Sequence, residues 1–142
     1  MTDLPAYCLR GLRKADWVID QAVIATEAFI PDPRTAKTRS DGGKETSINW
    51  EDTAEVEKFT FADKQNAQHG LARLATAAIL HISRTVPGIT MPLNCERQPL
   101  PKNDYHGNIV YSAKVNPKVE KMLAAALALK GQFVPPSSEP IQ

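Results

Sequence analysis

The chain has 142 residues, and its seventeen Lys and Arg against sixteen Asp and Glu leave a formal net charge of +1. That length predicts one domain around one core, and the near-zero charge excludes an overall field that would drive the protein onto nucleic acid or an anionic membrane. No apolar run approaches the roughly 18 residues of a membrane span, and the MTDLPAY start lacks the basic and apolar regions of a signal peptide, so a cytosolic location is expected.

Residues 4–13, LPAYCLRGLR, set Leu4, Tyr7, Cys8, Leu9 and Leu12 beside Arg10 and Arg13, with a period that fits either a short strand or a turn. Trp17 to Ile19, Val23 to Ala25 and Phe29–Ile30 are short runs rich in β-branched residues, favouring strands or a bent ribbon joined at Asp20–Gln21. From Pro31 to Glu45 no apolar periodicity survives, and Asp41-Gly42-Gly43 signals a turn, so residues 31–45 read as a long polar, solvated loop or one that orders on a phosphate or a partner. SDGGKET lacks the GxxxxGK[ST] spacing of a phosphate-binding loop.

TSINW at 46–50 reads as a strand, after which Asp52 or Thr53 is placed to cap a short helix through Glu55, Val56 and Phe59. Within residues 63–85, Leu71, Leu74, Ala75, Ala78, Ile79 and Ile82 follow the spacing of an amphipathic helix. Gly70 and Thr76 leave open a strand through Leu74 followed by a shorter helix. Ile89 to Leu93 suggests a short strand that Pro92 confines to an edge.

Ile109, Tyr111, Ala113 and Val115 alternate with Asn108, Val110, Ser112 and Lys114, the pattern of a half-buried strand with His106 and Gly107 at its mouth. Asn116 and Pro117 then open a helix whose inner face is predicted to be Val119, Met122, Leu123, Ala126 and Leu127, with Lys130 near its end and Gly131 as a left-handed cap. Residues 135–142 have the composition of a Pro/Ser-rich tail, which Phe133 and Val134 would anchor. The expected fold is α+β: a single domain over 1–134, with a small mixed or antiparallel sheet and two to three helices packed on it.

Cys8 and Cys95 can form at most one bridge, and neither belongs to a CxxC pair, so both read as reduced, partly buried thiols. Three histidines without an HxH or HxxxH pair give no metal motif, and no cofactor fingerprint such as GxGxxG is present. His106, beside a glycine and among Asn103, Asp104 and Asn108, is the leading acid/base candidate, with His69 second. The alternative for His106 is a turn histidine that holds its own loop. Arg10, Arg13, Arg34, Arg39 and Lys102 are the candidate phosphate contacts, with Tyr105 and Asn108 as further binding residues.

LRGLR at 9–13, Thr46–Ser47 and His69 or His106 loosely resemble the arginine and serine-containing strand of ADP-ribosyltransferase-type folds. No glutamate motif accompanies them, and no family is assigned. Two functional expectations stand side by side. One is a non-catalytic accessory subunit that contacts a larger protein in a cytosolic bacterial assembly. The other is a small enzyme or a nucleotide- or nucleic-acid-binding domain using His106 as acid/base, which the net charge does not support.

Overall fold

In the computed structural model, residues 4–20 and 23–136 are described. The expected tail from residue 137 on and Gln21 of the expected connection lie outside them. Among the described residues, six strands pair, all antiparallel, in one sheet of order β6-β7-β4-β1-β5-β8, and three helices are inserted between them along the chain. They are β1 (Tyr7–Gly11), β4 (Lys44–Trp50), β5 (Leu71–Ala75), β6 (Leu93–Arg97), β7 (His106–Tyr111) and β8 (Gln132–Val134). A separate ribbon joins β2 (Val18–Ile19) to β3 (Val23–Ile24), and the helices are α1 (Glu55–Ala62), α2 (Thr76–Ser83) and α3 (Pro117–Lys130). The fold is therefore α+β, with the antiparallel form of the two sheets expected.

Side chains alternate across each strand, and this assigns the two faces. Cys8, Ile48, Trp50, Leu74, Ile109 and Tyr111 enter the main core, which α2 closes with Ile79 and Ile82 and α3 closes with Leu123 and Leu127. Leu9 and Leu71 point the other way and meet Val56 of α1 in a smaller cluster with Ala67. Trp50, Phe29 and Leu127 are fully buried, each worth about 1.5–3 kcal/mol of transfer free energy. Among the described residues, no helix is long and apolar enough to cross a membrane.

Several local expectations change. The 71–82 periodicity resolves as β5 followed by α2, because Gly70 takes φ +116° and a Cβ there would lie 2.6 Å from the Val134 carbonyl. Thr76 does not cap α2; its hydroxyl donates to the Pro5 carbonyl at 2.6 Å. β7 is buried on both faces from Gly107 to Tyr111, with Ile109 and Tyr111 in the main core, where the Tyr111 hydroxyl donates to the Phe29 carbonyl, and Asn108 on the other face bonded to Glu96; the strand ends before Ala113. Pro92 precedes β6, so Ile89 to Met91 are not part of that strand.

The Asp52 carboxylate is drawn to Arg97, and the first free N–H of α1 is met by Thr53 Oγ1 instead. Asn116 caps α3 as expected, its Oδ1 accepting from the Val119 N–H at 2.8 Å. Gly131, in contrast, is extended at φ −70°, because the chain runs straight from α3 into β8. The inner face of α3 is set by Leu123, Ala124, Leu127 and Ala128, which leaves Met122 outside. Residues 31–45 are not a plain loop. A 3₁₀ turn spans Pro33–Lys37, Asp32 bridges to Glu45, and β4 already begins at Lys44. Cys8 and Cys95 are free thiols, more deeply buried than expected.

Candidate functional site

The polar face of β4, β7 and β6 holds His106 and Asn108 of the predicted residues, with Tyr105 just before β7 and Arg39 bonded to Glu96. Register sets Asn49 opposite His106 and Ser47 opposite Asn108, with Glu96 on the far side of Asn108. His106 Nδ1 lies 2.9 Å from the Gln98 carbonyl, which can only accept, so Nδ1 carries the proton. Among the described residues, no carboxylate bonds the ring. Its strand partner Asn49 is already engaged by Thr60 and by Asn103 Nδ2. Asn103 Oδ1 in turn accepts from the Tyr105 N–H, the local bond of a tight turn. Tyr105 packs edge-to-face on Phe59 at 5.1 Å, which pins this loop to α1.

The His-Gly pair has a steric explanation. The Trp50 indole N–H crosses Gly107 to reach the Glu96 carbonyl at 3.0 Å, and a Cβ on Gly107 would stand 2.1 Å from that nitrogen. His69 lies apart from His106, in a second cleft of about 440 Å³ beside Asp20 and Phe133. Among the described residues, no group of three or more His, Cys, Asp or Glu side chains is arranged to hold a metal ion.

Arg39 joins this face through Glu96, and the other predicted arginines are engaged elsewhere. Arg39 donates to Asp41, Glu45 and Glu96, at 2.7 Å to each of the two glutamates. Its guanidinium and the Gly43 N–H pull the Asp41 carboxyl down to about 2. For Glu96, burial pushes upward, but hydrogen bonds from Arg39 and Asn108 prevail and hold it below its ordinary value. Asn108 gives both Nδ2 hydrogens to Glu96 and Gln98, and its Oδ1 is buried without a partner among the described residues.

Arg34 closes back on Asp32. Arg10 donates to the carbonyls of Ala28 and Ser47 and lies 5.1 Å from the Trp17 ring; burial, then the nearby charge of Arg13, lowers its pKa to about 10. Arg13 stacks on the same ring, and Lys102 is exposed at the Leu100–Asn103 turn. Arg10 and Arg13 thus meet at Trp17, whereas Arg39 serves the β4–β6 face and Arg34 its own turn.

Two features were not found in the sequence reading. On α3, Lys118, Met122, Ala125 and Leu129 recur at i, i+4, i+7 and i+11 and all face outward, with Met122 62% and Leu129 83% exposed. Among the described residues, Lys114, Lys118, Lys121 and Lys130 have no ion-pair partner, while Glu120 turns inward to Lys44 at 2.9 Å. The signal was present in MLAAALAL, which is apolar around more than one face of the helix. The second feature is an open cleft of about 500 Å³ holding Arg73 of β5 with Glu51 and Glu57 of the segment that leads from β4 into α1, elements joined through β1, which pairs with both β4 and β5. Comparison with protein-family models, with curated proteins and with solved structures returned no match, so the reading of function rests on this geometry.

Proposed function

We propose that this chain is a non-catalytic interaction domain, an accessory subunit of a larger cytosolic assembly, and that the outer face of α3 is its docking surface. The observation that carries the reading is the Met122–Ala125–Leu129 stripe on a helix whose opposite face is committed to the core. Apolar area left in water forgoes about 25 cal/mol per Å², which a partner recovers by covering it. The flanking Lys118, Lys121 and Lys130 repel a second copy and suit an acidic partner, such as an amphipathic helix with Asp or Glu beside its apolar positions.

The enzymatic alternative draws less support. Among the described residues, no carboxylate orients His106, and Arg34 and Arg39 already hold carboxylates instead of a phosphate. The free, buried thiols suit a reducing compartment. The test is affinity capture from host cytosol with the parent chain and with a Met122→Glu, Leu129→Glu double variant. The parent should recover one reproducible partner that high salt weakens, and the variant should lose it while melting like the parent. Equal recovery by both proteins overturns the reading.

A further inference from the structure

Arg73, on β5, lines the cleft between the start of α1 and the β5–β8 edge, on the sheet face opposite the main core. Its guanidinium is fixed from two directions. Nε donates to Glu51 Oε1 at 2.9 Å, and the guanidinium carbon lies 3.8 Å from the centroid of the Tyr7 ring. These are its only such contacts among the described residues, so both terminal nitrogens remain free donors on a side chain 32% exposed. Glu57, from the first turn of α1, lines the same cleft and has no ion-pair partner among the described residues. Gln132, paired with Arg73, adds an amide with no hydrogen-bond partner among the described residues, and Val134, two residues on and on the same face, adds an apolar wall, whereas the Phe133 side chain packs on the main core.

We propose that this cleft binds a small zwitterion, an amino acid or dipeptide with free ammonium and carboxylate groups. The carboxylate takes both terminal nitrogens of Arg73, whose planar fork matches it in bidentate geometry and is already oriented by Glu51 and Tyr7. The ammonium takes Glu57. A bare anion would face the two carboxylates of Glu51 and Glu57, and a bare cation would face Arg73; a ligand bearing both charges pairs with Arg73 and Glu57, while Glu51 stays bonded to Arg73. The volume of about 500 Å³ suits a small molecule, and the apolar lining from Ala54 and Val134 suits an aliphatic side chain such as that of leucine. This site is separate from the α3 surface and stands or falls independently of it.

Titration calorimetry of the full chain tests the proposal with L-leucine and alanyl-leucine, against N-acetyl-leucine, leucinamide and inorganic phosphate. At least one zwitterion should bind saturably, and blocking either of its ends should weaken binding by about tenfold to a hundredfold, the value of one charge-assisted hydrogen bond. Glu57→Gln should impose a similar loss on the zwitterion and leave N-acetyl-leucine unaffected. Arg73→Lys should lose the carboxylate preference, and should that variant fold poorly, the Glu57→Gln comparison still decides. No binding of either zwitterion, equal affinity for the blocked forms, or tighter binding of phosphate overturns the proposal.

Discussion

Arg39 balances three carboxylates with one charge, and acid should expose that ratio. The folded state holds Asp41 and Glu96 below their ordinary values, so it binds fewer protons than the unfolded chain. Their contribution is complete above the unfolded carboxylate range of about 4 and is lost as pH falls through the folded value near 2. Arg39→Met should therefore lower the urea midpoint at pH 7, and the gap from the parent should close between about pH 4 and pH 2. A gap that stays constant over that range would mean that the cluster is not coupled to folding. His106→Ala should cost about 0.5–1.5 kcal/mol, the net worth of its bond to the Gln98 carbonyl, and leave partner capture intact. At this scale the sequence pointed to His106 and Gly107 from their adjacency alone. Gly107 next to His106 looked like a site, whereas it makes room for Trp50 from another strand. No local pattern carries that crossing, nor the pairing of Arg39 with Glu96, 57 residues away.

α3 was the most legible element, since its cap, its proline and its length are all encoded within a few residues. Its orientation was not legible, because MLAAALAL offers apolar residues to several faces and only tertiary packing chooses among them. Paired truncations make that choice measurable. Leu123→Ala, at a side chain 2% exposed, should cost about 2–5 kcal/mol in chemical denaturation. Met122→Ala, at 62% exposed, should stay within about 0.5 kcal/mol of the parent. Equal losses would place Met122 in the core and remove the docking stripe. The 63–85 segment was harder to read because the spacing of Leu71, Leu74 and Ala75 suits a helix. The backbone at Gly70 and pairing with both β1 and β8 decide for a strand.

Over the whole molecule, composition and alternation were sufficient for α+β, and the order β6-β7-β4-β1-β5-β8 was out of reach because no strand in it pairs with its nearest neighbour in sequence except β6 with β7. The same non-local pairing hid the Arg73 cleft. The central claim is that α3 faces a protein partner, and site-specific photo-crosslinking in the host cell tests it most directly. A crosslinker at position 129 of α3 and a control at exposed position 58 of α1 report on opposite sides of the sheet. The account predicts one discrete crosslinked protein from position 129, lost when Met122 is also changed to Glu, and none from position 58. Absence of a crosslink at 129, or the same product from both positions, would contradict it.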